Sequence, residues 1–120
     1  MSENLPRGHE MQRTLAITTV GRKSGRKHQT TIEFAVDENG RLFISTRDAR
    51  RDWVRNALKN PSVEVTIGGV TRKIKALPLN SDEDKAGLVK LYRKKYLGAK
   101  LYGLFFPKYR PPQCFELKPE

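Results

Sequence analysis

Two short stretches carry most of the chain's chemical possibilities. The first is Gly21-Arg22-Lys23-Ser24-Gly25-Arg26-Lys27-His28. Its glycines let the backbone turn tightly and expose amide donors, while Arg22, Lys23 and Ser24 add a fork of charged donors and a hydroxyl, the set a phosphate oxygen requires. The segment lacks the Gly-x-x-x-x-Gly-Lys-Ser/Thr order of a nucleotide-binding P-loop, and it joins two strand-like runs instead of a strand and a helix. A solvated hairpin tip whose charges serve solubility is the plainer reading of the same residues. The second stretch runs from Ser45-Thr46-Arg47 to Ala49-Arg50-Arg51-Asp52-Trp53-Val54-Arg55-Asn56. It places hydroxyls, guanidinium groups and one aromatic ring at a strand-to-helix junction, where phosphates are at home. Trp53 reads as core packing under the helix ahead of ligand stacking, Asn56 as a hydrogen bond holding the next turn, and Arg50 and Arg51 equally well as an exposed charged face. No metal centre is expected: His9 and His28 are too few and too far apart, with no cysteine nearby.

The elements that position these stretches follow from hydrophobic period and turn chemistry. Residues 1–13 read as a polar arm with Pro6 and Gly8, and 14–120 as a single domain. Thr14 to Val20 reads as a strand ending at Gly21, and Thr30 to Val36 as a second, with Thr31, Glu33 and Ala35 on its polar side and Ile32, Phe34 and Val36 on its apolar side. The basic loop is then a hairpin connection. Asn39-Gly40 predicts a tight turn with positive backbone dihedrals before a third strand, Arg41 to Thr46. Trp53, Ala57 and Leu58 recur at helical spacing, with Asp48 placed to cap the start and Asn60-Pro61 to stop it. Val63 to Ile67, Gly68-Gly69 and Val70 to Leu77 read as another hairpin. Ser81-Asp82-Glu83-Asp84 opens a second helix whose apolar stripe is Leu88, Leu91 and Tyr92, reaching about Leu97. Cys114 to Leu117 is expected to close the sheet. Mostly antiparallel strands with a helix after the third predict a small barrel or a strongly curled sheet of the α+β class.

Composition bounds the partners. Among 120 residues, Lys+Arg 24 against Asp+Glu 13 leaves a formal charge of +11, which favours an anionic partner: nucleic acid, an acidic surface or a small phosphate- or carboxylate-bearing ligand. The single cysteine, Cys114, excludes an intramolecular disulfide framework and makes a reducing cytoplasm the expected compartment. No apolar run approaches the roughly 20 residues that span a bilayer as a helix.

Thr18-Thr19-Val20-Gly21-Arg22-Lys23-Ser24-Gly25, Thr30-Thr31-Ile32, Ser45, Trp53-Val54-Arg55-Asn56 and Asn60-Pro61-Ser62-Val63-Glu64-Val65 together resemble the deazaflavin-dependent nitroreductase and quinone reductase family, from about Leu15 to about Leu77. The resemblance implies a split β-barrel of the FMN-binding, flavin-reductase-like type, with a short helix after the third strand and a C-terminal helical region. It implies coenzyme F420, an 8-hydroxy-5-deazaflavin with a phosphate and an oligoglutamate tail, with FMN as the alternative cofactor. By position, Arg22, Lys23 and Ser24 would bind the phosphate and nearby carboxylates, with Thr30 and Thr31 framing the next strand. Ile32 would pack on the ring, and Ser45 and Thr46 would sit beside it. Arg50 and Arg51 would lie near the acidic tail, while Trp53 and Asn56 hold the junction. The chain departs from the family pattern at His28, where an arginine is common, at Thr31, where a proline is common, and in a shorter segment between Ser45 and Trp53. The implied activity is hydride transfer to a small-molecule acceptor, a quinone, enone or nitroaromatic. A cofactor carrier without turnover and a basic nucleic-acid-binding barrel are the rival readings. Homodimer formation is expected from the apolar run Leu101 to Phe106.

Overall fold

The computed structural model describes residues 13–95 and 109–120. The chain order is β1 (Thr14–Val20), β2 (Lys27–Glu33), β3 (Ala35–Val36), β4 (Leu42–Thr46), α1 (Asp52–Lys59), β5 (Ser62–Ile67), β6 (Val70–Leu79), α2 (Asp82–Lys95) and β7 (Gln113–Pro119). The strands form one antiparallel sheet in the order β2-β1-β5-β6-β7-β4-β3. It curls into a split β-barrel with two helices, and Leu97, Tyr96, Tyr102, Leu101 to Phe106 and His9 lie outside the described residues. Among the described residues, no helix is long and apolar enough to cross a membrane.

The first hairpin forms where the sequence predicts it. Val20 pairs with Lys27, so β2 starts three residues before Thr30. Its loop is closed by the Gly21 amide on the Arg26 carbonyl (2.7 Å), and Gly25 takes a positive φ of 72° that disfavours any residue with a Cβ. Gly68 and Gly69 both have positive φ, as a tight hairpin turn requires. At Asn39-Gly40 only the glycine does (φ 81°): the loop spans Asp37 to Arg41, with Gly40 donating to the Asp37 carbonyl and Asp37 to that of Arg41, the longer turn-plus-bulge arrangement. Asp37 braces it. Burial opposes the charge of this carboxylate, but the Arg41 amide and guanidinium and the Asn39 amide outweigh that and hold its pKa below the ordinary value.

The expected single strand from Thr30 to Val36 is broken at Phe34. Phe34 and Ala35 are both buried, which no period-two strand allows on one buried face. The chain here leaves one edge of the sheet, β2, and joins the other, β3. Phe34 turns into the barrel core with Ile17, Ile44 and Val65, while Ala35 packs outside it with Phe43, Leu88 and Cys114 beneath α2. Two small cores thus share one sheet. The final strand forms where expected and closes the sheet from within: β7 lies between β6 and β4 and welds the two halves, with Phe115 opposite Ile44 and Pro78. Central placement suits its run of four buried residues, Cys114 to Leu117.

Helix α2 starts as its sequence predicts. The Ser81 hydroxyl accepts the Asp84 amide at 3.1 Å, three acidic residues occupy the first turn and three basic ones the last. Ser81→Ala is expected to lower stability by about 1 kcal/mol, read as a shift in the urea midpoint with an unchanged slope. Helix α1 does not start as predicted. Its N-cap is Arg51, which supplies no side-chain acceptor, and Asp48 instead folds back on Arg50, taking its amide at 2.9 Å and its guanidinium at 3.0 Å. Asp48 lies three positions before the N-cap, too far for a side chain that caps only the amides two or three positions beyond it. Asn60 does end the helix, its amide bonded to the Asn56 carbonyl.

Candidate functional site

A cleft of about 350 Å³ opens where the barrel fails to close. The two-residue β3 pairs only with Leu42 and Phe43, so the rest of β4 has no strand on that side. There the end of β2 approaches, contributing Thr31, Ile32 and Glu33, and β4 runs out through Ser45 and Thr46 into Arg47 and Asp48. Arg51 and Trp53 of the α1 start form a further wall. Leu88, Val89, Tyr92 and Arg93 of α2, with Tyr109 and Pro111, complete it.

Each wall has a definite chemistry. Trp53 is 4 % exposed and packs tilted against Phe115, ring centres 5.9 Å apart, which fixes the indole from behind. Its Nε1 is buried without a hydrogen-bond partner among the described residues. An indole N–H stripped of water in this way is a donor held ready, since most buried polar groups are paired. The Thr46 hydroxyl is committed to the junction, bonding both the amide and the carbonyl of Asp48 at 3.0 Å. Ser45, opposite Cys114 in the sheet, is half-buried at the cleft. Arg51 is exposed at the uncapped start of α1, where the helix dipole and first-turn amides favour negative charge. Cys114 lies behind this region. Burial pushes its thiol up to about 11, so it stays protonated and offers no thiolate nucleophile at neutral pH.

The structure gathers six of the sequence-derived site residues at the cleft: Thr31, Ile32, Ser45, Thr46, Arg51 and Trp53. The other six stand outside its lining. Arg22 turns away from the loop tip onto α1, its guanidinium 2.9 Å from Asn56 Oδ1 and 3.3 Å from Asp52 Oδ1, and its side chain is only 16 % exposed. Asn56 is buried, accepts the Arg22 amide at 3.1 Å and donates to the Thr19 hydroxyl at 3.3 Å. These two residues clip the basic hairpin to the helix, so the Asn56 side chain holds a loop far back in the chain and not the turn that follows it. Ser24 accepts the Arg26 amide, Lys23 is exposed, and Thr30 sits half-buried opposite Ile17. Arg50 is spent on Asp48. The sequence reading puts Leu88 and Tyr92 on the apolar stripe of a second helix but gives no α2 residue a role at the site. The only signal of an α2 wall in the sequence is that Val89 and Arg93, one turn apart, flank the Leu88/Tyr92 stripe, and nothing local says the helix returns to the barrel seam. Among the described residues, no group of His, Cys, Asp and Glu converges as metal ligands would.

Comparison with known proteins decides the family. The sequence profile of the F420H(2)-dependent quinone reductases matches residues 1–103. The chain belongs to this F420H(2)-dependent quinone reductase family. Solved structures carry the same fold. One described as an F420-H2 dependent reductase superposes with a TM-score of 0.68 at 25 % identity, covering 89 % of this chain and 95 % of its own. A protein of unknown function from Agrobacterium tumefaciens gives 0.68 at 20 % identity, with 88 % of this chain covered; this chain spans only 47 % of it. A third, described as a domain-swapped dimer, gives 0.68 at 24 % identity and covers 89 % of this chain and 81 % of its own. No curated protein matches the chain. Within the quinone reductase family frame, the cleft occupies the junction between the family-like Ser45 strand and the Trp53-Val54-Arg55-Asn56 helix.

Proposed function

We propose that this family member is an F420H2-dependent reductase that passes a hydride to a small electrophilic acceptor, a quinone, an enone or a nitroaromatic, in the cleft between the α1 start and α2. The observation that carries the reading is a cleft lined by Trp53, whose Nε1 is buried and unpartnered among the described residues, beside a helix start that is uncapped and carries Arg51. The residues fit the cofactor's chemistry. Ile32 and Trp53 present apolar surface to a flat ring, and Arg51 with the first-turn amides of α1 suits a phosphate or carboxylate. The volume lies in the range of small-molecule sites, about 300–1,000 Å³.

When bound, reduced F420 supplies the hydride, and the acceptor takes a proton from solvent to complete its reduction. The chain's part is orientation and exclusion of water. Trp53, pinned by Phe115, sets one wall. Leu88, Val89 and Tyr92 shield the other wall, and the Tyr92 hydroxyl is anchored on the Glu33 carbonyl at 3.1 Å, which keeps that wall in register with β2. Homodimer assembly is part of the same reading, supported by the likeness to the domain-swapped dimer.

Titration with F420 and FMN side by side tests the proposal. F420 is expected to bind more tightly than FMN. Arg51→Gln should raise the F420 Kd about tenfold, as expected for losing one charge-assisted contact worth about 1.5 kcal/mol. Binding of neither cofactor, accompanied by tight and steeply salt-dependent binding of single-stranded nucleic acid, would overturn it in favour of the basic-barrel reading. F420 binding with no turnover across a broad acceptor panel would leave a carrier.

A further inference from the structure

Arg93 belongs to the α2 wall of the cleft. It lies one turn beyond Val89 on α2, both at the cleft, while Leu88 and Tyr92 of the same helix pack onto the sheet. Its Nε is buried and has no hydrogen-bond partner among the described residues. A guanidinium keeps its charge at any physiological pH, so this is a desolvated edge of a permanent cation. The two carboxylates of the cleft lining are engaged elsewhere. Glu33 lies 3.9 Å from Arg13, and Asp48 takes Arg50 through both oxygens, at 3.0 and 3.3 Å. The lining therefore counts Arg51 and Arg93 against Glu33 and Asp48, and on the α2 wall the Arg93 Nε has no acceptor among the described residues.

We propose that the acceptor reduced in this cleft carries a carboxylate, and that Arg93 receives it and sets the preference for acidic acceptors. The inference rests on the proposed reductase function. The fork of a guanidinium matches the two oxygens of a carboxylate. The cofactor's own anionic groups are accommodated on a different wall, at the α1 start with Arg51, so the anion at Arg93 belongs to the second molecule in the cleft. Such an acceptor would be held by its acid at α2 while its electrophilic ring lies toward Ile32 and Trp53.

A naphthoquinone bearing a propionate side chain and its methyl ester form the test pair. With F420H2 as donor, the protein is expected to favour the acid over the ester at least tenfold in kcat/KM. In Arg93→Gln that ratio falls toward unity, the change residing in KM for the acid, and Arg93→Lys retains an intermediate preference. A second readout is independent of turnover: Trp53 is the only tryptophan in the chain, so its fluorescence reports binding of the acid to the cofactor-free protein, which Arg93→Gln should weaken at least tenfold. Absence of an acid preference in the unmodified protein, or an unchanged ratio in Arg93→Gln, overturns the inference. So does a tenfold loss of F420 affinity in Arg93→Gln with the ratio intact, which places the carboxylate on the cofactor. If F420 binds but neither these quinones nor any enone or nitroaromatic of a broad panel is reduced, the reductase reading fails, and the tryptophan titration alone decides for or against an acid site at Arg93.

Discussion

Replacing Asn56 by leucine is expected to cost about 3 kcal/mol of stability and to release the basic hairpin from α1. Leucine has the branched heavy-atom skeleton of asparagine and is somewhat bulkier, so none of the loss comes from an empty cavity. Asn56 is 1 % exposed and serves three groups at once: its amide donates to the fully buried Thr19 hydroxyl, and its Oδ1 accepts both the amide and the guanidinium of Arg22. Substitution strands these partners. A buried donor or acceptor left unsatisfied costs about 1–3 kcal/mol, and the charged Arg22 group sits at the upper end. Its residual contact, to Asp52 at 3.3 Å, is mostly in solvent, since that carboxylate is 80 % exposed, and contributes little. Urea unfolding measures the loss, and hydrogen exchange at the Arg22 amide should accelerate well beyond that of the β1 amides. A loss under about 1 kcal/mol would show that water replaces the side chain.

The same residues explain what sequence can and cannot reveal here. β1, the two glycine-marked hairpins and the start of α2 were legible because local chemistry decides them: branched residues at period two, positive-φ glycines, a serine followed by acids. Thr30 to Val36 misled because alternation cannot show that a strand changes sheet edges, and both Phe34 and Ala35 are apolar enough to serve two cores. The α1 start misled because Asp48 looks like a cap, yet an arginine two residues away competes for it. The site was half legible. Residues joined by short connections, Ser45 through Trp53, reach the cleft together, whereas the α2 wall is brought in from far along the chain by packing alone. The fork at Arg22 was read as ligand-facing because sequence shows charge and hides direction. Net charge was similarly blunt: Arg22, Arg41, Arg50 and Arg110 are each paired locally, with Asp52, Asp37, Asp48 and Asp82. What distinguishes the cleft is therefore the placement of Arg51 and Arg93, not the total.

Phe115→Ala carries the largest expected effect, about 3–5 kcal/mol. Phe115 is fully buried at the centre of β7, the strand that joins the two halves of the sheet, and opposes Ile44 on one side and Pro78 on the other. Truncation empties the space behind Trp53, whose ring it meets at 5.9 Å and 50°. A curled sheet stitched by hydrogen bonds on both sides of β7 cannot collapse into that void without breaking register, so most of the cavity cost should remain. The consequence reaches the cleft. With its rear support gone, Trp53 gains rotational freedom and its buried N–H meets water, so the emission of the lone tryptophan should shift to the red under conditions where the variant is still folded. Phe115→Leu separates the two effects: it restores much of the volume and should recover more than half of the stability, yet lacks the aromatic face that fixes the tilt of the indole. If cofactor affinity follows the Trp53 emission across this pair and not the unfolding free energy, the indole's orientation, more than the integrity of the barrel, sets binding in the cleft. Affinity that tracks stability alone would place Trp53 back among the purely structural residues.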